Sequence, residues 1–244
     1  MTGSMVLLFL AGIAAGFINA IAGGGSAITI PILTEMVGAS VANGTNRVAV
    51  LIANIAAVAG FQRDNKVPWD IVKPLAPAAL FGAIGGAWVA TLLSAAAMRR
   101  VFSAVLVLIA LSVLVRPNRW LGGGAPRLRQ PWSTVVFFLI GFYGGFVQAG
   151  VGFLLLAGLV MGSGLDLVRG NGAKVALIAS YTWVALLLFA FAGQVDFGLG
   201  LVLAGGNASG AYVAARVAVR KGAPWVRWML VVAAIGAAVR MATA

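Results

Sequence analysis

The chain has 244 residues, 62% of them hydrophobic and only 9% charged, with a formal net charge of +12. Its mean hydropathy is +1.05. A soluble domain needs roughly 25% charged residues to cover its surface, so this composition excludes a water-soluble globule. Cysteine and histidine are absent, which also excludes a disulfide framework, a thiolate nucleophile and a histidine metal site. The basic residues fall in short pieces between apolar runs. That distribution reads as loops held against anionic lipid, not as a nucleic-acid surface. Runs such as Val101 to Val115 are continuously apolar, without the alternating polarity of barrel strands. The predicted class is therefore an all-α polytopic membrane protein, multi-pass in the bacterial inner membrane.

The first segment, at about 5–37, is too long for one straight span and is interrupted at Ala22-Gly23-Gly24-Gly25-Ser26. A glycine-broken helical hairpin is predicted there. Met1 to Ser4 carries no basic region, so a cleaved signal peptide is not expected. Plain helices are predicted at about 45–61, 71–93 and 98–115 from their apolar length. Arg116 to Pro131, rich in Arg, Gly and Pro, reads as a solvated linker. A second broken segment, at about 133–161, is interrupted at Ala149-Gly150-Val151-Gly152, and helices follow at about 172–192, 197–215 and 225–243.

The two series match residue by residue. Gly16-Phe17-Ile18-Asn19-Ala20 corresponds to Gly145-Phe146-Val147-Gln148-Ala149, Arg47-Val48-Ala49 to Lys174-Val175-Ala176, and Gly82 to Ala90 to Gly206 to Ala214. An internal duplication follows, with a first repeat at 1–116, a cytoplasmic linker at 117–131 and a second repeat at 132–244. Charge decides how the broken segments run. If each crosses the membrane once, Lys and Arg divide almost evenly between the two sides. If each enters and leaves on one side, nearly all of them gather together, leaving Arg47, Arg99, Arg100 and Arg240 opposite. Cytoplasmic loops hold the excess, so the second arrangement is expected. It gives two inverted-topology repeats, each a broken hairpin followed by three transmembrane helices, about eight to ten membrane segments in all, and both termini extracytoplasmic.

Broken helices in inverted repeats place substrate near the midplane, where exposed N–H groups and the positive end of a half-helix attract anions. The candidate binding positions are Gly23, Gly24, Gly25 and Ser26 in the first break, and Gly150 and Gly152 in the second. Asn19 and Gln148 precede the breaks at equivalent positions, where an amide could line a cavity or bond to a neighbouring helix. Arg47 and Lys174, preceded by Asn46 and Asn171, stand at the entrance of the next helix. There each could complement an anion or snorkel to head groups. Gly82 and Gly86 read as packing notches between helices. Asp196 reads as a helix N-terminal partner. Glu35 is the one carboxylate with a claim to proton coupling, against a surface or salt-bridged position.

Gly16-Phe-Ile-Asn-Ala-Ile-Ala-Gly-Gly-Gly-Ser26, followed by Pro31 and Gly44-Thr-Asn-Arg47, resembles the first half of the TauE/SafE family, the sulfite exporters or sulfonate-uptake permeases. Gly145 to Gly152 resembles the second copy more weakly, with Phe153 where the first break has Ser26. The resemblance implies a secondary transporter of sulfur oxyanions or organosulfonates such as sulfite or sulfoacetate, with the glycine breaks in the binding role. A passive anion channel and a carrier of another organic anion, such as a carboxylate, remain the alternatives. An enzyme is not expected, since no cluster of acids, nucleophiles or metal ligands stands at one depth. No cofactor is expected. The coupling ion, H+ or Na+, and assembly into a homo-oligomer stay open.

Overall fold

The structure, a computed structural model, describes residues 3–114 and 128–242, and every regular element in them is helical. In chain order these are α1 Gly3–Ile21, α2 Ser26–Val37, α3 Ala39–Gln62, α4 Trp69–Thr91 and α5 Ala95–Leu114. After them come α6 Trp132–Phe146, α7 Val151–Ala157, α8 Leu167–Phe191 and α9 Phe197–Ala242. A π-helical turn, Gly158–Gly162, extends α7. Among the described residues, α1, α3, α4, α8 and Phe197–Val226 of α9 are long and apolar enough to cross a bilayer. Their outer faces carry exposed Leu7, Phe81, Leu187 and Leu201, as helices wetted by lipid would. The chain is thus a multi-pass helical membrane protein. Most of the predicted linker, with Arg116, Arg119, Trp120 and Arg127, lies outside the described residues.

Both broken segments form two helices meeting at their glycines. Gly23 takes φ 84° and Gly150 φ 73°, a left-handed turn that glycine adopts without the Cβ penalty. At the first break the N–H groups of Ala22 and Gly23 both donate to Ile18 O, closing α1. Helix boundaries elsewhere differ from expectation. The sequence places the next helices from about 45 and 172, yet α3 begins at Ala39 and α8 at Leu167. The polar residues Asn43, Thr45 and Asn46, expected around the helix entrance, lie buried well inside the helix. Arg47 and Lys174 therefore sit about 10–12 Å inside their helices, not at the entrance. Likewise α9 does not stop at 215; it carries Arg216, Arg220 and Lys221 in helix and turns non-helical only at Gly222, φ 75°.

Packing exchanges partners between the two halves of the chain. On α1, side chains at Gly12 and Gly16 would strike the backbone of Leu203 and Asn207 on α9, and on α9 those at Gly206 and Gly210 would strike Phe9 and Ile13. The matching helices α4 and α6 do the same, Gly82 and Gly86 against Phe138 and Phe142, and Gly141 and Gly145 against Ala79 and Ala83. Small residues let backbones approach closely where lipid gives no hydrophobic drive to association, so the notch reading of Gly82 and Gly86 holds. Gly44 of α3 abuts Gln194 O, and Gly172 of α8 abuts Lys66 O. The two breaks meet at the centre, where a Cβ on either Gly23 or Gly152 would overlap the backbone of the other.

Candidate functional site

The ends of α1 and α6 at the breaks carry unsatisfied carbonyls and the negative end of a helix dipole. Arg47, on α3 and fully buried, answers those of α6. Its Nη1 donates to Gly144 O at 3.2 Å and to Gln148 Oε1 at 2.9 Å, and its Nη2 donates to Gly145 O and, more weakly, to Asn43 Oδ1 at 3.5 Å. Asn43 adds a bond from Nδ2 to Phe146 O at 2.9 Å. The Arg47 guanidinium lies 4.6 Å from the centroid of the Phe189 ring, a cation–π contact in a desolvated place. Its Nε has no hydrogen-bond partner among the described residues.

Lys174, on α8 and equally buried, answers the carbonyls of α1. Its ammonium donates to Asn19 O at 2.9 Å, Ala20 O at 3.0 Å and Asn171 Oδ1 at 2.7 Å. An ammonium has three hydrogens to donate, and all three are engaged. Each cation thus crosses to the other half of the chain and caps its broken helix. Neither reaches a lipid head group. An additional bond ties the second break: Tyr143 Oη donates to Ala149 O at 2.5 Å. Gln148, with φ 66°, is the side-chain acceptor for Arg47.

The starts of α2 and α7 are different. Among the described residues the amides of Gly24, Gly25 and Ser26, which head the twelve-residue α2, donate no hydrogen bond. The Asn19 carboxamide beside them has no hydrogen-bond partner there either, and its Cβ lies 2.8 Å from where a Cβ on Gly25 would be. Asn46 Nδ2 donates to Ser26 Oγ at 3.1 Å, while Thr29 Oγ1 donates to Asn46 Oδ1 at 2.7 Å. Because Ser26 Oγ accepts from Asn46, the hydroxyl hydrogen of Ser26 is left to donate elsewhere. The result is a patch of donors, amide and hydroxyl, at the positive end of a helix. The Phe153 ring of α7 lies against Gly24, 2.9 Å from a Cβ built there. The second break is less open, since Val151 N donates to Gln148 O and Phe153 N to Gly150 O.

The structure thus brings Asn19, Gly23, Gly24, Gly25, Ser26 and Asn46 together at one break and joins Gly152 to it. Arg47 and Gln148 stand with Gly150 at the other break. Lys174 and Asn171 lie behind α1. Glu35 stands apart, exposed in the last turn of α2. Asp196 accepts from Leu199 N at 2.9 Å, as a helix N-terminal partner does, and its own N–H donates to Thr45 Oγ1 at 2.9 Å. The sequence reading did not single out three contributors to these polar contacts. Asn43 and Thr29 were legible only as small polar residues, and Asp166 caps α8 by accepting from Val168 N and Arg169 N. An acid ahead of an apolar run signals that last role.

The family described as Sulfite exporter TauE/SafE matches residues 8–241. A "Probable membrane transporter protein ORF9" from Sinorhizobium sp is 30% identical over 97% of this chain and 92% of its own length. The "Probable membrane transporter protein YfcA" of Escherichia coli K12 is 29% identical, covering 93% of this chain and 85% of its own. A "Probable membrane transporter protein" from Haemophilus influenzae is 27% identical over 93% and 90%. No solved structure matches. The chain belongs to the TauE/SafE family and, with it, to the membrane transporters.

Proposed function

We propose that this TauE/SafE-family chain is a secondary transporter of a small anion of the sulfur-oxyanion or organosulfonate class, working by alternating access at the first glycine break. The single observation that carries the proposal is the donor patch at the head of α2. Three amides without a hydrogen bond, the spare hydrogen of Ser26 and the neighbouring Asn19 lie at the positive end of a helix dipole, and no acidic residue stands in that break. An oxyanion offers several acceptor atoms to such a patch and needs no cationic ligand to be held there. Arg47 and Lys174 act on the site indirectly, by fixing the helix ends that lead into each break.

Inverted topology of the two repeats, 1–116 and 132–244, belongs to the same proposal. It is supported by where equivalent loops lie. The α3–α4 loop leads into the start of α4 at Trp69, whereas Gln194, in the matching α8–α9 loop, donates from Nε2 to Thr91 O at 3.1 Å, at the far end of α4. Equivalent loops at opposite ends of one helix fit halves that run in opposite senses. The abutment of Gly23 and Gly152 favours a carrier over an open channel, since the breaks have to part before anything passes between them.

The test is uptake of labelled sulfite into proteoliposomes, with thiosulfate, sulfoacetate, taurine and simple carboxylates as competitors. Saturable flux with counterflow is expected, inhibited by sulfur oxyanions or sulfonates. Ser26→Ala removes one hydrogen bond to a charged ligand, about 1.5–3 kcal/mol, so KM should rise about 10- to 100-fold. Flux that never saturates, or an unchanged KM in Ser26→Ala, would sink the proposal.

A further inference from the structure

A groove with an apolar wall and a basic rim lies between the end of α3 and α9. It is ≈ 340 Å³ in volume and lined by Arg63, Tyr212, Val213, Arg216, Val217 and Arg220. Arg216 pairs with Asp64 and donates from Nη1 to Gly60 O at 3.3 Å. Arg63 lies 5.8 Å from the centroid of the Tyr212 ring. Arg220 is exposed and makes no hydrogen bond or ion pair among the described residues. Of the three guanidinium groups lining the groove only that of Arg216 is paired with a carboxylate, so the groove keeps an excess of positive charge. We propose that it binds the phosphate head group of an anionic phospholipid, with an acyl chain against Val213 and Val217.

Position argues for lipid over a soluble anion. Arg216 and Arg220 lie about 30–35 Å along α9 from Phe197, the depth at which a spanning helix leaves the hydrocarbon. Val213, Val217 and Arg220 follow one another at intervals of one turn, so a single face of α9 passes from apolar to cationic. Val213 is 51% exposed, so the apolar part of the groove opens sideways, toward the acyl chains. Guanidinium matches a phosphodiester with paired donors, and basic pockets between helices take anionic head groups. A groove built for a soluble anion would not need an apolar wall facing lipid.

The experiment is thermal unfolding of the purified full-length protein in detergent, with added phosphatidylglycerol, cardiolipin, phosphatidylcholine or inorganic phosphate. Phosphatidylglycerol or cardiolipin should raise the unfolding temperature and phosphatidylcholine should not; inorganic phosphate should neither raise it nor compete. Arg63→Gln with Arg220→Gln should remove most of the shift, whereas Arg99→Gln, an exposed arginine on α5, should leave it intact. Should the double variant aggregate, Arg220→Gln alone must reduce the shift, because its side chain stands free. The proposal is overturned by equal shifts from phosphatidylcholine, by a phosphate effect that replaces the lipid effect, or by an unchanged shift in the arginine variants.

Discussion

Lys174→Met separates a capping role from a ligand role. Methionine keeps the length of the side chain and removes all three donors, leaving Asn19 O, Ala20 O and Asn171 Oδ1 without the ammonium they share. Hydrogen bonds within membrane bundles measure about 0.6 kcal/mol on average, and a buried group left unsatisfied costs about 1–3 kcal/mol. Three such losses, partly offset by no longer burying a charge, come to about 2–6 kcal/mol. For a chain of this size each kcal/mol moves the midpoint by about 2–4 °C, so unfolding should come about 5–20 °C earlier. The assay is thermal unfolding in detergent, paired with titration of sulfite. Capping predicts that stability falls and that residual folded protein still binds anion; Lys174→Arg, which keeps a buried cation, should recover part of the loss. A variant with unaltered stability that no longer binds any anion would refute capping and make the ammonium a substrate ligand.

Gly86→Val places a side chain into the carbonyl of Phe142; α4 and α6 must then separate, at a cost of at least the roughly 1–3 kcal/mol typical of overpacking, and folded yield should fall sharply. Size-exclusion chromatography of the solubilised protein reads the result, and a monodisperse peak at normal yield contradicts the notch. Since the chain has no cysteine, single cysteines at exposed Asp70 and Ala192 can be labelled in sealed vesicles. Inverted repeats put Asp70→Cys on the cytoplasmic side and Ala192→Cys on the other; labelling of both from one side ends that proposal.

Most of the helices were legible because apolar length is a composition signal. The runs at about 71–93 and 98–115 coincide closely with α4 and α5. Both breaks were legible because glycine marks a turn wherever it interrupts an apolar run. The failures share one cause: polarity was read as a boundary. Asn43 and Gly44, ahead of the expected start at about 45, and Arg216 to Lys221, beyond the expected end at 215, are helical in the structure. In the first case buried partners satisfy the polar groups, and in the second the helix has reached the edge of the apolar layer. No single-sequence signal says that Arg47 will bond to Gly144 and Gly145, about a hundred residues away, because that contact depends on how the halves exchange helices. Equivalent cations at matched positions mark a shared role without saying which one.

The arrangement of charge bears on where a transport movement can occur. The trailing ends of α1 and α6 are held by buried cations, the first by two bonds from Lys174 and the second by Arg47, Asn43 and the Tyr143 hydroxyl beyond it. The leading ends of α2 and α7 have no such anchor. Asn46 ties α2 through two neutral bonds, and α7 is short and runs into a π turn whose ladder is already irregular. Neutral bonds contribute less than bonds to charged groups and are cheaper to exchange for bonds to a ligand. An anion arriving at Ser26 can take that side chain's spare hydrogen while Asn46 still donates to its oxygen, whereas it finds no open donor on Lys174. Opening the central contact of Gly23 with Gly152 is therefore easier by displacing α2 and α7 than by displacing α1 and α6. On this reasoning the cations are needed to keep two helix ends still while the other two move.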